Sequence, residues 1–276
     1  MKFKDILLKT MIWFCGIGVI IITFFIFGFI AYRGIQNLSW SFIFNSPSGI
    51  PLGSKGGIFP AITGTIYLGI LSGLIAGFIA TVTAIFTVFY CKKIYIIKAI
   101  NTSIHFLLGM PSILYGLVGY TILLYYLRLP RSLLTSAVTI AAMIMPFITK
   151  RISKVFQDEA KEIMTASLCL GLSKSYVVLK LILPHYFMHI ITSITLGVAF
   201  GVGAAAPVML TGAVFHAGTP RNLTQPFMSL SYHLLILVNE GISLEFAYAT
   251  AFILLLILLV VNIACRVGEH FLKGVK

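Results

Sequence analysis

Thr165-Ala-Ser-Leu-Cys-Leu-Gly171, with Leu181-Ile-Leu-Pro184 close behind it, is the stretch on which the reading of this chain turns. It is polar, carries lysines nearby, and lies between two long apolar runs. Its local signals predict a short helix, a glycine turn and a second short helix ending at Leu-Pro. Only glycine enters left-handed backbone cheaply, so Gly171 supplies the turn. A helical hairpin hung between membrane spans is what a membrane protein needs to engage a soluble motor.

The surroundings are apolar. Of 276 residues, 59% are hydrophobic and 10% charged. A soluble domain of this size cannot hide so much apolar surface, so the class is a polytopic, all-α integral membrane protein. The first apolar run follows Lys2, Lys4 and Lys9 as a signal peptide would. It is too long for one and lacks a small-x-small cleavage site, which predicts an uncleaved span. The formal charge of +13 comes from cations at the ends of apolar runs, not from a basic surface interleaved with aromatics. That pattern belongs to membrane topology and excludes nucleic acid as a partner. Cys15, Cys91, Cys169 and Cys265 form no CxxC and no His/Cys cluster, so neither a disulfide framework nor a metal site is expected.

A span needs about 20 mostly apolar residues. Six are predicted, at 11–32, 64–90, 111–127, 133–148, 188–210 and 246–265, the fourth being short and borrowing neighbours. No boundary divides residues 1–276, which read as a single transmembrane domain. One set of intervening segments holds Lys2, Lys4, Lys9, Lys92, Lys93, Lys98, Lys150, Arg151, Lys154, Lys161, Lys174, Lys180, Arg266, Lys273 and Lys276. The opposite set holds only Arg33, Lys55, Arg128, Arg131 and Arg221. The positive-inside rule then places both termini and segment 149–187 in the cytoplasm; a location in the cytoplasmic (inner) membrane is the accompanying expectation.

Within the spans, Gly69, Gly73 and Gly77 recur every four residues, and Gly197, Gly201 and the small residues through Ala206 do the same. Such stripes let helices approach closely in lipid, where hydrophobic drive between helices is small. Pro111 and Pro207 each remove a backbone donor and predict a helix end, or a broken helix beside a path. Residues 37–60 read as an outer loop with Trp40, Phe42 and Phe44 as interfacial anchors. Residues 225–240 read as a half-inserted helix. No GxxxxGK[ST] occurs, so ATP is not bound through a P-loop here. The predicted spans hold no acidic residue, which argues against an intramembrane enzyme. Arg221 is the basic residue of the long outer segment, and a guanidinium suits an oxyanion. Thr195 and Thr211 can line a path, although hydroxyls in spans commonly bond their own helix. His185 and His189 lack a third ligand and read as packing.

The spacing of the opening stretch resembles the EAA loop of ABC-importer permeases, E-A-A-x(3)-G-x(9)-I-x-L-P. Ala166, Ser167, Gly171, Leu183 and Pro184 fall on that pattern. Thr165 stands at the glutamate and Leu181 at the isoleucine, with Glu162 one helical turn before Thr165. Gly56-Gly-Ile-Phe-Pro-Ala-Ile-Thr-Gly64-Thr, Met110-Pro-Ser-Ile-Leu-Tyr-Gly116-Leu and Met145-Pro-Phe-Ile-Thr-Lys resemble one branch of these permeases, the PstA-type subunit of phosphate importers. The resemblance covers most of the chain from about Gly56 onward.

That resemblance implies a type I ABC-importer permease architecture and translocation of inorganic phosphate. It implies four parts: this chain in lipid, a PstC-like sister permease, a PstB-like ATPase dimer and a phosphate-binding protein. No catalytic residue and no cofactor is expected on this chain, ATP and Mg belonging to the ATPase. Thr165, Ala166, Ser167, Gly171, Leu183 and Pro184 are the implied coupling residues, with 166–172 as coupling helix and Pro184 ending the segment. Pro111, Ser112, Tyr115, Gly116, Phe200, Ala204, Pro207 and Arg221 are the pathway candidates. The family carries Arg-Ala-x-Gly-Glu-Thr-Ala-Pro in the fifth span, and here the stretch is Phe200-Gly-Val-Gly203-Ala-Ala-Ala-Pro207. Phe200 and Ala204 therefore replace an ionisable pair. The alternatives are another oxyanion (molybdate, tungstate or phosphonate) and a non-transporting sensor or assembly subunit.

Overall fold

The computed structural model describes residues 2–274, with side-chain environments at 5 and 7–268. Met1, Val275 and Lys276 lie outside the described residues, as do the side chains of Lys2, Lys4 and Lys273.

Helix α1 (Lys2–Ile35) leads to a short α2 (Trp40–Phe44) and a tiny antiparallel hairpin, β1 (Pro47–Ser48) and β2 (Lys55–Gly56), with Pro47 opposite Gly56. Helix α3 (Phe59–Ile85) continues through a π-helical turn, Phe86–Tyr90. Next come α4 (Ile94–Leu108) and α5 (Ser112–Gly119), the latter prolonged as π-helix to Tyr126. Helix α6 (Leu133–Val155) runs through a π-turn, Phe156–Ala160, into α7 (Lys161–Cys169). Helix α8 (Lys174–Tyr176), a π-helical stretch and α9 (Leu183–His185) form one arm leading to α10 (Phe187–Gly203). Helices α11 (Ala205–Thr211), α12 (Leu230–Asn239) and α13 (Leu244–Gly274) complete the chain.

Leu7–Ile35, Phe59–Tyr90, Leu133–Cys169 and Leu244–Gly268 are each long and apolar enough to cross a membrane. Two bent pairs, Ile94–Leu108 with Ser112–Tyr126 (103°) and Lys174–His185 with Phe187–Gly203 (65°), add two more if each pair is one broken span, so the described residues hold four to six candidate spans. The chain is an all-α, multi-pass integral membrane protein.

Helix α6 is the centre of the bundle. Ile140, Ile144, Ile148, Ile152 and Phe156 repeat every four residues along it and are almost wholly buried. Ala76, Ala80 and Ala84 present the matching smooth face of α3. The glycines of α10 take the other side. A Cβ on Gly197 would lie 2.6 Å from Ile148 Cγ1, and one on Gly201 2.7 Å from Ile140 Cγ2. Gly73 of α3 receives Val198 of α10, whose Cγ2 would be 2.8 Å from an added Cβ. Both small-residue stripes are thus close-approach surfaces, the device that holds helices together in lipid.

Three features differ from the sequence reading. Helix α6 does not stop at Ile148: Thr149, Ile152, Phe156 and Ala160 stay buried while Lys150, Arg151 and Lys154 face outward, an amphipathic continuation that mean hydropathy scores as loop. Helix α4 occupies sequence read as loop, because Lys98 and Asn101 interrupt its apolar residues. Phe42 is not an interfacial anchor. It is 3% exposed and stacks on Phe246 at 5.0 Å between ring centroids, whereas Trp40 and Phe44 are exposed and stack on each other.

Helix α12, expected to be half-inserted, packs on α13 and buries Leu230, His233 and Leu237. Its first backbone N–H is bound by Thr65 Oγ1 of α3 at 2.8 Å.

Candidate functional site

The described residues place the coupling candidates at one end of the bundle and most pathway candidates at a broken helix nearer the other. At the first end, α7 closes in a Schellman turn. Gly171 has φ +79°, its N–H donates to Leu168 C=O at 3.0 Å, and Leu172 N–H donates to Ser167 C=O at 3.2 Å. This satisfies carbonyls that a helix end leaves open. Ser167 is buried, whereas Thr165, Ala166, Leu168 and Cys169 are exposed and Leu170 is 80% exposed. The hydroxyl of Thr165 donates to Lys161 C=O at 3.0 Å, so it is spent on its own helix. An apolar tip with a fixed turn behind it is a knob shaped for a groove.

The knob is wired to three spans. Lys174 sits 5.1 Å from the ring centroid of Tyr90, and Tyr90 Oη and Ser175 Oγ are 3.4 Å apart. These contacts join the end of α3 to α8. The Phe156 ring lies tilted against Phe89 at 5.4 Å and edge to face with Tyr186 at 6.2 Å, joining α3, α6 and the foot of α10. Pro184 is exposed and does not end its segment. The helix passes through it, and the 65° turn falls at Tyr186. Proline is tolerated in the first turn of a helix, which is its place in α9. The rings of His185 and His189 both pack against Tyr186, at 4.7 Å and 6.0 Å between centroids.

At the second place, α10 and α11 are separated by one extended residue, Ala204 (φ −83°, ψ 103°). The break lies three residues before Pro207, because Pro207 is again accommodated in a first turn. Helix α5 packs on the half-helix α11: Gly116 faces Pro207 and Leu210. Pro111 caps α5, Ser112 is its first residue, and both lie in the 103° corner. The Tyr115 hydroxyl, in a side chain only 6% exposed, donates to Leu107 C=O at 2.8 Å and braces that corner. Removing it in Tyr115→Phe is expected to cost about 1 kcal/mol. A lowered thermal midpoint of the purified chain would show this, and an unchanged midpoint would mean that the corner is held otherwise.

Phe200 faces away from this contact. It is 60% exposed and stacks on Phe147 at 6.5 Å, with the Arg151 guanidinium 5.8 Å from the Phe147 ring. The two positions where the resemblance placed an ionisable pair therefore hold an exposed aromatic and the residue at the helix break. Arg221 also stands apart, in a cleft of about 400 Å³ beside Tyr67, Leu71 and Leu133. Thr195 donates to Ile191 C=O at 2.9 Å, on its own helix.

Several pairings at the site escaped the sequence reading, which had named Thr211 but none of its partners. Ser136 Oγ and Thr211 Oγ1 are 2.9 Å apart, and Thr135 Oγ1 donates to Thr211 C=O at 2.9 Å, a buried polar knot tying α6 to the end of α11. Lys150 Nζ lies 3.1 Å from His105 Nε2, joining α6 to α4. A chain position alone does not signal such pairings, since their partners are tens of residues away.

No family model matches the chain. It is similar to the probable ABC transporter permease protein YqgI of Bacillus subtilis (strain 168), with 24% identity covering 96% of this chain and 95% of that one. It is 26% identical to the phosphate transport system permease protein PstA 2 of Mycobacterium tuberculosis (strain CDC 1551 / Oshkosh), over 82% of this chain and 75% of that one. The probable phosphate transport system permease protein PstA of Methanocaldococcus jannaschii is 26% identical over 77% of this chain and 76% of its own. Similarity of this extent fits a diverged permease of the PstA type. It supports an ABC transporter permease, the description these relatives carry.

Proposed function

We propose that this chain is a membrane-spanning subunit of an ATP-driven importer of inorganic phosphate. The exposed Leu168–Leu170 tip, set by left-handed Gly171 and wired to α3, α6 and α10, carries the reading. A separate ATPase dimer, holding ATP and Mg²⁺, grips the tip from the cytoplasm, where both termini also lie. A sister permease completes the path, and a phosphate-binding protein delivers substrate to the opposite face in the cytoplasmic membrane. The names of the mycobacterial and archaeal relatives support phosphate as substrate.

In this reading, closure of the ATPase dimer displaces α7 and α8. The aromatic contacts at Tyr90, Phe156 and Tyr186 pass the motion to the spans. The hinge at Ala204 lets α11 tilt with α5 while α10 stays fixed on α6. The apolar Phe200–Ala204 stretch favours a second reading, import of a different oxyanion, since no ionisable pair faces the substrate there.

The test is uptake of labelled phosphate into proteoliposomes holding the four parts. Uptake that requires ATP and the binding protein is expected. An intact complex that hydrolyses ATP without moving phosphate, but moves molybdate, tungstate or phosphonate, would transfer the assignment to that anion.

A further inference from the structure

The end of the bundle opposite Gly171 carries a second cationic cleft. It has a volume of about 710 Å³ and is walled by Tyr120, Tyr125, Tyr126, Arg128 and Arg131, with no carboxylate in its lining. Both arginines are exposed, and neither forms an ion pair among the described residues. Tyr125 and Tyr126 pack edge to face at 5.3 Å between ring centroids.

The backbone points the same way. Arg128 has φ +52° and directly follows Leu127, the cap of the π-helical stretch, with Leu129 N–H donating to Leu123 C=O at 2.9 Å. This is the left-handed position that glycine occupies most cheaply after a helix. An arginine held there against a backbone cost is a strained residue of the kind found at binding sites. Two forked guanidiniums in a lining that also holds three tyrosines and no carboxylate supply donors and no acceptor charge. That chemistry matches a multiply charged tetrahedral oxyanion. Arg131 directly precedes Ser132, whose hydroxyl caps α6, so its backbone is anchored.

We propose that the Arg128–Arg131 cleft binds a free tetrahedral oxyanion on the face from which substrate arrives. The proposal rests on the orientation given under Proposed function. It moves the outer anion site from Arg221 to these residues. Being open and solvated, the cleft holds its ligand weakly, as a conducting path requires.

The experiment uses the whole complex in nanodiscs. Phenylglyoxal labelling of Arg33, Arg128, Arg131 and Arg221 is followed by mass spectrometry with and without inorganic phosphate, at ionic strength matched with chloride. About 10 mM phosphate is expected to slow labelling of Arg128 and Arg131 about fivefold, as a low-millimolar site would, and to leave Arg33 and Arg221 unchanged. Equal slowing at all four, or none, overturns the proposal. So does protection seen only in anionic-lipid discs and not increased by phosphate, which assigns the cleft to a lipid headgroup. A double variant, Arg128→Gly with Arg131→Gln, relaxes the backbone while removing both charges. It is expected to assemble with the other three parts as the wild type does and to take up phosphate about tenfold more slowly. Uptake at the wild-type rate overturns the proposal. Absence of uptake in the wild-type complex instead sinks the phosphate importer reading, and the labelling result then stands by itself.

Discussion

With proline in place of Gly171, ATP-driven uptake by the assembled complex is expected to fall at least about a hundredfold, while the chain keeps its helical content. Proline fixes φ near −65°, and the native value is +79°. The substitution also deletes the N–H that donates to Leu168 C=O, and with it one half of the Schellman turn. Leu168 and Leu170 would then leave their fixed positions at the tip. The damage stays local because an added Cβ at Gly171 meets nothing within 4 Å. Gly171→Ala separates the two effects: it keeps the donor and carries only the left-handed penalty of about 1–2 kcal/mol. It should therefore retain part of the uptake. Parallel measurements of uptake and ATP hydrolysis decide the matter. Wild-type uptake in the proline variant would remove the tip from the coupling mechanism.

Gly116→Val is expected to destabilise the bundle by about 3 kcal/mol, the upper range for overpacking. A Cβ at Gly116 would stand 2.8 Å from Pro207 Cα, 2.9 Å from Leu210 Cδ1 and 3.2 Å from Ala206 O. Two of these three are backbone atoms, which cannot swing aside as a side chain can. The half-helix α11 would have to move off α5, and the Thr211 knot with Ser136 would open behind it. The thermal midpoint should drop by roughly 10 °C. Gly203→Ala is the control, since Gly203 adjoins the break at Ala204 and has nothing within 4 Å of an added Cβ. An unchanged midpoint in Gly116→Val would refute the close α5–α11 contact.

The long spans were legible because a run of apolar residues near 20 long has few other uses. The Gly69–Gly77 and Gly197–Gly201 stripes were legible as packing faces for the same reason of period, whereas the Ala76, Ala80 and Ala84 face of α3 was not singled out. What lay beyond them was harder. The continuation of α6 past Ile148 alternates buried Ile152 and Phe156 with exposed Arg151 and Lys154, and averaging over a window hides the face. Pro207 marked a break, yet the break is at Ala204, because proline fits a first helical turn and lets α11 begin before it. Phe42 carried the same aromatic signal as Trp40 and Phe44, and only its stacking on Phe246 separates it from them.

Read alone, the chain establishes its membrane-spanning, all-helical class and its glycine turn at Gly171. These follow from the length of apolar runs and the backbone freedom of single residues, which are properties of neighbours along the sequence. Tertiary structure alone decides that Gly116 meets Pro207, that Ser136 meets Thr211 across 75 residues, and that Arg128 and Arg131 share a cleft with three tyrosines. Those meetings depend on the 103° and 65° bends and on which helix faces interlock, and both are settled only when every span packs at once.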